Sequence, residues 1–317
     1  MSRQAAISRL EDMIVSQNLT KQYGDKTVVS DLSFTVRPGV VTGFLGPNGA
    51  GKSTTMRMLV GLDSPTHGHI TIGGRRYQDI PDPVRHLGVM LDARAVNPGV
   101  TALNHLLIVG QTHGIATARA HEVLDMVGLG AVADKRAGGF SLGMSQRLGI
   151  ATALIGDPGV LVLDEPVNGL DPDGVLWLRQ LLVRLAAEGR TVFLSSHLMS
   201  ELSLIAEDLV VIGQGRLLIA GTVDEVIESV APQMTRVVTP EAARLADAIQ
   251  APGIGVRRSD EGTLFVTGRT TREVGIIAAA QSITLYELVT ERASLEEAFM
   301  HITRNAVEYT SHEEATV

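Results

Sequence analysis

The sequence predicts an α/β fold with a mostly parallel sheet, followed by a smaller α+β domain. The first observation is a pair of near-continuous apolar strands at 159–166 and 191–197, separated by a helical pattern at 173–189. That order is a βαβ unit, and such apolar strands indicate a parallel sheet covered on both faces. The second observation is a run of three- and four-residue apolar spacing from 101 to 155, which predicts a helical region.

Short strands and one helix precede that helical region. The helix is expected at 52–62, directly after a strand and a glycine-rich turn. A hairpin is expected to close the first domain near residue 221. Apolar patterns predict strands at 13–18, 32–36, 40–46, 68–74, 87–91 and within 208–221.

A second domain is expected after a boundary near 229–235. From there the order of predicted elements is strand, helix, strand, strand, helix, strand, with one further helix. The βαββαβ order is typical of a ferredoxin-like fold. We therefore divide the chain into a first domain over 12–230, an accessory domain over 235–305, and a polar tail over 306–317 that is expected to be disordered.

Composition excludes several classes of protein. A hydrophobic fraction of 44% with 20% charged residues is typical of a globular chain, and a net charge of -8 argues against a nucleic-acid partner. The absence of cysteine excludes disulfides and thiol chemistry and fits a reducing compartment. Neither a signal peptide nor an apolar run of about 18 residues is present, so we expect a cytoplasmic protein that docks on a membrane partner.

A glycine-rich segment, GPNGAGKST, matches the P-loop pattern G-x-x-x-x-G-K-[ST]. Its glycines let backbone N–H groups approach phosphate oxygens, while the lysine reaches the β- and γ-phosphates and the serine hydroxyl ligates Mg²⁺. A predicted strand precedes the segment and a helix follows it, which is the context that the pattern requires. The expected phosphate-binding residues are Gly46, Pro47, Asn48, Gly49, Ala50, Gly51, Lys52, Ser53 and Thr54.

Two adjacent carboxylates end the apolar strand LVLDEP at 161–166. Such a pair at the end of a buried strand is costly unless it meets a cation or takes part in chemistry. Beside a P-loop, we expect Asp164 to hold Mg²⁺ through water and Glu165 to polarise the water that attacks the phosphate; a helix cap is the alternative. His197 ends the strand 191–197 at the edge that faces the nucleotide crevice in such sheets, with a structural hydrogen bond as the alternative role.

Five motifs occur in a fixed order along the chain: GPNGAGKST, FSLGMSQR, LVLDEP, NGLD and SSH. With this order and spacing, the segment from 12 to about 230 resembles the ABC-type ATPases. The resemblance implies ATP hydrolysis with Mg²⁺, and implies that Tyr23 stacks on adenine, although a half-buried structural tyrosine is the alternative. It also implies that Asp171 belongs to a loop contacting a second subunit and that His197 senses the γ-phosphate. The helical region 101–155 corresponds to the inserted subdomain that meets a permease.

The segment FSLGMSQR, 140–147, resembles the signature sequence of that family. A flexible stretch that leads into a helix presents the helix N-terminus to an anion, yet the P-loop is already a phosphate site. In this family two nucleotide domains pack head to tail, so the resemblance implies that Ser141 and Gly143 contact the ATP held by the partner subunit. Leu142 and Met144 replace the usual glycine and glutamine, as in relatives of the drug- and antibiotic-exporter branch.

A second departure from the family pattern follows the strand 87–91. The family has a glutamine at the turn after this strand, where it contacts Mg²⁺ and the attacking water. The best alignment places Asp92 there. A carboxylate also coordinates Mg²⁺, although it is shorter and adds charge, so Asp92 is a candidate metal ligand; an ordinary turn aspartate is the alternative.

The resemblance implies the ATP-hydrolysing subunit of an ABC exporter, working as a homodimer beneath a separately encoded permease at the inner face of the cell membrane. The signature and the segment RASLEEAFMHIT resemble the daunorubicin-resistance type of ATPase, which favours export of a drug, antibiotic or lipid-like substrate. One alternative is an ABC-type ATPase of DNA repair or translation. The repair type carries a long coiled-coil insertion and the translation type carries two ATPase domains, and this chain has neither feature. The other is an ATP-binding regulatory module, against which Glu165 and His197 argue.

Overall fold

The computed structural model describes residues 12–93, 95–230, 234–259, 262–291 and 293–304. The described residues form two compact units: the first comprises residues up to 223 together with 303–304, and the second comprises residues between 224 and 302. The tail at 306–317, which the sequence predicts to be disordered, lies outside the described residues. Across those described ranges, no helix has both the length and the apolar character needed to cross a membrane.

A six-stranded sheet lies at the centre of the first unit, within the part of the chain described. Its strands are β3 Val41–Leu45, β5 Leu87–Met90, β6 Val160–Leu163, β7 Thr191–Ser195, β8 Asp208–Gly213 and β9 Arg216–Thr222. Their spatial order is β5-β6-β7-β3-β8-β9, parallel from β5 to β8, with β9 antiparallel to β8. Every residue of β3, β6 and β7 is buried, which accounts for their near-continuous apolar sequences.

An antiparallel sheet packs beside it, formed by β1 Ile14–Tyr23, β2 Lys26–Val36 and β4 His67–Ile72 in the order β2-β1-β4. Strands β1 and β2 are roughly twice as long as the sequence predicts. The pairing of β1 with β2 contains register shifts after Ser16. Such irregularities break the period-two alternation on which the sequence prediction depends, so the continuation of both strands is hidden.

Three phenylalanines join the two sheets. Phe34 of β2 lies 5.7 Å from Phe44 of β3 and 5.8 Å from Phe193 of β7, and the last two are 5.1 Å apart, all measured between ring centroids. Aromatic pairs at this spacing add favourable edge and face contacts to the burial of their large apolar surfaces. The sheet that carries Tyr23 is thereby fixed to the sheet that carries the P-loop.

The described residues of the first unit also form α-helices. They are α1 Lys52–Leu59, α2 Pro83–His86, α3 Ala102–Gln111, α4 Thr117–Met126, α5 Leu142–Leu154, α6 Pro172–Ala187 and α7 Met199–Leu202. Helix α5 begins at Leu142, because the Ser141 hydroxyl accepts from the Met144 N–H at 3.2 Å and caps the helix. Gly143 therefore lies in the first helical turn instead of the preceding loop.

The second unit has a four-stranded antiparallel sheet in the order β11-β12-β10-β13. Val237, Leu264 and Val266 point from this sheet into a core that α9 completes with Leu245 and Ile249. The elements of the second unit are α8 Val223–Val230, β10 Met234–Val238, α9 Ala242–Ile249, β11 Gly255–Arg258, β12 Thr263–Thr267, α10 Thr271–Ala280, β13 Glu287–Glu291 and α11 Leu295–Thr303.

Candidate nucleotide-binding site

The predicted P-loop and acidic pair meet at one edge of the central sheet. Strands β3, β6 and β7 are neighbours, and their carboxyl ends lead into the P-loop, Asp164 and His197 respectively. A cleft at this edge is lined by residues 48–54 together with Val28, Leu91, Asp164 and Glu165. Ligands of open α/β sheets bind outside the carboxyl ends of the strands, so this cleft is where a nucleotide is expected.

The P-loop backbone requires glycine at its junction with α1. Gly51 has a φ of 101°, which side chains rarely adopt, and a Cβ there would lie 2.9 Å from the Val28 carbonyl oxygen. Both the conformation and the close approach of β2 therefore exclude a larger residue. The turn delivers the unpaired N–H groups of the first turn of α1 to the cleft, where they and the positive end of the helix dipole suit a phosphate.

Lys52 lies inside this turn and is 9% exposed. Its Nζ donates to the carbonyl oxygens of Gly46 at 2.6 Å and Pro47 at 3.3 Å. Burial lowers the pKa of Lys52 below its usual value, while the carboxylates of Glu165 and Asp164 oppose that shift. A phosphate bound here would replace the two carbonyl oxygens as the partner of the Lys52 ammonium. The ammonium would then face a full negative charge, which gives a stronger hydrogen bond than a neutral carbonyl does.

Asp164 is held by two hydroxyl groups. The Ser53 hydroxyl donates to its Oδ2 at 2.9 Å, and the Ser195 hydroxyl makes a short hydrogen bond to its Oδ1. The Asp164 N–H donates to the carbonyl oxygen of Met90 at 2.7 Å, so the end of β5 fixes its backbone. Asp164 thus connects the P-loop to the end of β7.

These oxygen atoms also fit Mg²⁺. The described residues contain no group of three or more His, Cys, Asp or Glu side chains that could hold a metal ion by themselves. Mg²⁺ needs no such cage, because it commonly binds through one or two carboxylates with phosphate oxygens and water completing the shell. The Ser53 hydroxyl and the Asp164 carboxylate, 2.9 Å apart beside the P-loop, are the hard oxygen donors that it prefers.

Glu165 follows Asp164 in a left-handed backbone conformation, with a φ of 49°. Its N–H donates to the Ser195 hydroxyl at 2.9 Å, and its carbonyl oxygen accepts from the Gln146 amide at 3.0 Å. Such a conformation is unfavourable for a residue with a side chain and persists where neighbouring groups fix it. Hydrogen bonds therefore hold the peptide units on both sides of the Glu165 Cα, and this fixes the direction of the carboxylate.

His197 contacts the Glu165 side chain. Its Nδ1 lies 2.7 Å from Glu165 Oε2, and its backbone N–H donates to the same oxygen at 3.3 Å. A carboxylate oxygen only accepts, so Nδ1 carries the hydrogen of the shorter contact. The opposite nitrogen, Nε2, is then an acceptor in a neutral ring and a donor in a doubly protonated ring.

Tyr23 is placed at the end of β1, and its side chain is 47% exposed. The hydroxyl donates to Asp63 at 3.0 Å, and that carboxylate also binds Arg57 at 2.8 Å. Burial and the Asp63 carboxylate raise the pKa of Tyr23 above its usual value. Lys21 places its ammonium 4.7 Å from the ring centroid, so one ring face already has a cationic neighbour. Adenine stacking on Tyr23 stays a prediction.

Asp92 lies two residues beyond the end of β5. Its carbonyl oxygen accepts from the Ala95 N–H at 3.2 Å, in a turn. The residue of this segment that lines the cleft is Leu91. Metal binding by Asp92 stays a prediction.

The signature segment lies apart from the cleft lining, at the start of α5. Ser141 is exposed, and neither Leu142 nor Gly143 has a hydrogen-bond partner for its N–H within the described residues. A Cβ on Gly143 would lie 3.0 Å from the Gly169 carbonyl oxygen, so the first turn of α5 packs closely on the NGLD loop of the same chain. In that loop Asp171 caps α6, accepting from the Gly174 N–H at 2.9 Å.

Two residues that follow in α5 fix this helix to the rest of the unit. Gln146 reaches the Glu165 carbonyl, as described above. Arg147 donates to the Val127 carbonyl oxygen at 2.8 Å, and its guanidinium lies 4.4 Å from the Trp177 ring centroid. The Trp177 indole in turn donates to the Met126 carbonyl oxygen at 3.2 Å. Gln146 and Ser195 are the site contacts that sequence reasoning missed, although both lie within motifs that it identified.

Comparison with known proteins agrees with this geometry. A family model described as ABC transporter matches residues 29–168, and a second, described only as a domain of unknown function, matches residues 233–296. The uncharacterized ABC transporter ATP-binding protein YhcH of Bacillus subtilis (strain 168) is 33% identical over 312 residues, covering 96% of this chain and 100% of that protein. The bacitracin transport ATP-binding protein BcrA of Bacillus licheniformis is 43% identical over 212 residues, covering 66% of this chain and 69% of that protein.

A solved structure is also similar. The ATP-binding cassette MJ0796, in a dimeric post-hydrolysis state bound to ADP and Pi, superimposes with a TM-score of 0.59 at 25% identity. The match covers 66% of this chain and 98% of that one. A P-loop, an acidic pair and a histidine arranged at one sheet edge define an ATP-hydrolysing cassette, which confirms the predicted class of fold. The chain belongs to the family of ABC transporter ATP-binding proteins.

Proposed function

We propose that this chain powers export of a drug, antibiotic or lipid-like substrate, as one of two identical ATPase subunits beneath a separate membrane permease. The relatives named for bacitracin transport support the export of an antibiotic-like molecule. The observation that carries the ATPase part is the continuous hydrogen-bonded set Ser53–Asp164–Ser195–Glu165–His197 around the P-loop. This set connects a phosphate-binding turn to a carboxylate that can orient water.

In this proposal the P-loop, 46–54, holds the phosphates through its backbone N–H groups, which only Pro47 lacks. Lys52 neutralises charge on the β- and γ-phosphates. Glu165 accepts a hydrogen bond from the attacking water and orients it toward the γ-phosphorus. His197 keeps its Nδ1–H on Glu165 and donates from Nε2 to a γ-phosphate oxygen. It can do both only as an imidazolium, since a neutral ring has one N–H.

Ser53 and Asp164 would hold Mg²⁺, and Asp92 is a further candidate ligand. Mg²⁺ held there would neutralise charge that develops on the phosphate oxygens. Ser195 keeps Asp164 in place by donating to the oxygen that Ser53 does not bind. Tyr23 is proposed to stack on adenine through the ring face opposite Lys21.

The signature segment is proposed to complete the ATP site of the partner subunit. At the start of α5, Ser141 offers its hydroxyl and Gly143 offers its backbone N–H. The exposed side of this helix start is turned away from the rest of the chain. The positions of Ser141 and Gly143 match the signature motif, and the cassette of known structure described above is dimeric. Asp171, at the adjoining loop, is proposed to contact the partner.

A mixed-dimer experiment tests this arrangement. A Lys52→Ala chain is defective at its own P-loop, and a Gly143→Asp chain is defective where its signature faces the partner's phosphate. Each homodimer therefore has two broken sites. A mixed dimer places both lesions in one composite site and leaves the other intact, so mixing two inactive proteins should restore up to about half of wild-type ATPase activity per mixed dimer if the sites act independently.

The matched control is Gly143→Ala. It adds the same Cβ near the Gly169 carbonyl oxygen without adding a charge, so it measures crowding alone. Subunit exchange is verified with two affinity tags. Full activity of the Gly143→Asp homodimer would contradict the head-to-tail arrangement. The arrangement would also be contradicted if the mixed dimer, verified by its two tags, recovered no activity while the Gly143→Ala protein is active.

A further inference from the structure

Gln146 connects the signature helix of this chain to the chain's own acidic pair. Its side chain is 4% exposed, and its Nε2 lies 3.0 Å from the backbone carbonyl oxygen of Glu165. Because a carbonyl oxygen only accepts, the amide must present its nitrogen here. The contact is a directed hydrogen bond from α5 to the residue that is proposed to orient water.

The backbone of Glu165 depends on this contact. Its left-handed conformation is held on the N–H side by Ser195 and on the carbonyl side by Gln146. Rotation of Glu165 toward a more relaxed conformation would turn its carbonyl oxygen away from the Gln146 amide. Loss of the amide therefore removes one of the two hydrogen bonds that fix the backbone of Glu165, and the direction of the carboxylate changes with it.

We propose that Gln146 is a positioning residue that aligns Glu165 for the ATP bound by its own chain. The proposal rests on the role of Glu165 in the proposed function, and its mixed-dimer test also uses the head-to-tail arrangement.

Two variants separate the hydrogen bond from the packing of the side chain. Gln146→Met keeps the length and removes the donor, whereas Gln146→Asn keeps the amide and withdraws it by roughly 1.5 Å. Both should lower kcat by about tenfold or more and leave KM for ATP within about twofold, because the misplaced group acts on attack and not on binding. Thermal unfolding and ATP affinity are measured alongside, and either variant that folds suffices.

Mixed dimers then show which composite site depends on Gln146. With a Lys52→Ala partner, the intact P-loop belongs to the Gln146→Met chain, and activity should be as low per site as in the Gln146→Met homodimer. With a Gly143→Asp partner, the intact P-loop belongs to that partner and the Gln146→Met chain supplies only its signature. Activity should then equal that of the control mixture, which contains Lys52→Ala and Gly143→Asp chains.

The outcomes are distinguishable. A defect in the second mixture instead of the first, equal defects in both, or wild-type kcat in a folded Gln146 variant would overturn the proposal. An inactive control mixture with verified subunit exchange would contradict the head-to-tail arrangement. The alignment of Glu165 within one chain would still be judged by kcat of the Gln146 homodimers.

Discussion

The P-loop cleft and the signature segment differ in how much of their surroundings the chain itself supplies. Around the cleft, Lys52 and Asp164 have partners from the P-loop, α1 and β7. Glu165 is hydrogen-bonded at its N–H, its carbonyl oxygen and its carboxylate. At the signature, Leu142 is 47% exposed, and the Ser141 hydroxyl is used only to cap its own helix among the contacts described. The P-loop half of the proposed composite site is complete within the chain, whereas the proposed signature half offers groups outward.

The comparison predicts that substitutions in the P-loop cleft abolish ATP hydrolysis at every site to which the altered chain contributes its P-loop. Glu165→Gln should lower kcat by about 10²- to 10⁴-fold, because the amide keeps the shape and loses the basic oxygen that orients water. ATP binding should persist, and the dimer should remain closed around ATP. Phosphate release and size-exclusion chromatography with ATP measure these two effects.

A matched control for that change is Glu122→Gln, which alters an exposed carboxylate paired with Arg119. It should leave kcat unchanged. Normal hydrolysis by Glu165→Gln would mean that another residue orients the water.

Lys52→Ala should weaken ATP binding by about 10- to 100-fold and remove turnover, because a buried charge-assisted contact to phosphate is lost. Equilibrium binding of a fluorescent ATP analogue measures the first effect, and a phosphate-release assay measures the second. Wild-type turnover in a folded Lys52→Ala protein would exclude the P-loop assignment.

Tyr23→Ala should weaken ATP binding by about tenfold, since base–aromatic stacking contributes about 1–3 kcal/mol. Tyr23→Phe keeps the ring and removes only the bond to Asp63, so it should bind ATP within about twofold of wild type. Binding of tripolyphosphate, which has no base, should be unaffected in both. Equal losses in the Ala and Phe variants would show that the hydroxyl, not the ring, is what matters.

Truncation after Val223 should have the smallest effect on the cleft, because the second unit has its own sheet and core. We expect ATP affinity within about twofold of the full chain, with a change in turnover or in dimerisation, if the second unit supports assembly or regulation. Calorimetric titration and analytical ultracentrifugation measure these quantities. A folded truncated chain that no longer binds ATP would contradict this role.

Sequence reasoning succeeds for the central sheet and the family because the determining signals are local. The glycines of the P-loop encode a backbone that a Cβ would block, and the apolar runs of β6 and β7 encode burial on both faces. The acidic pair follows directly from its position at a strand end. For these features, the residues that specify the structure are contiguous in the chain.

Sequence reasoning fails where partners are distant in the chain. Ser195 reaches Asp164 only because β7 lies beside β6 with Leu194 opposite Leu163, a register that no local pattern specifies. Gln146 reaches Glu165 only once α5 begins at Leu142, and the neighbouring glycines obscure that start. The lengths of β1 and β2 were underestimated for a related reason, since their irregular pairing disrupts alternation.

The stacking of Arg147 on Trp177 has an optical consequence. The chain contains one tryptophan, so its intrinsic emission comes from a single indole held between α5 and α6. Arg147 immediately follows Gln146, and any rotation of α5 that lifts the guanidinium from the ring changes both the polarity and the quenching around that indole. The unlabelled protein therefore carries its own fluorescence reporter of signature-helix movement, readable in a stopped-flow instrument as ATP is added.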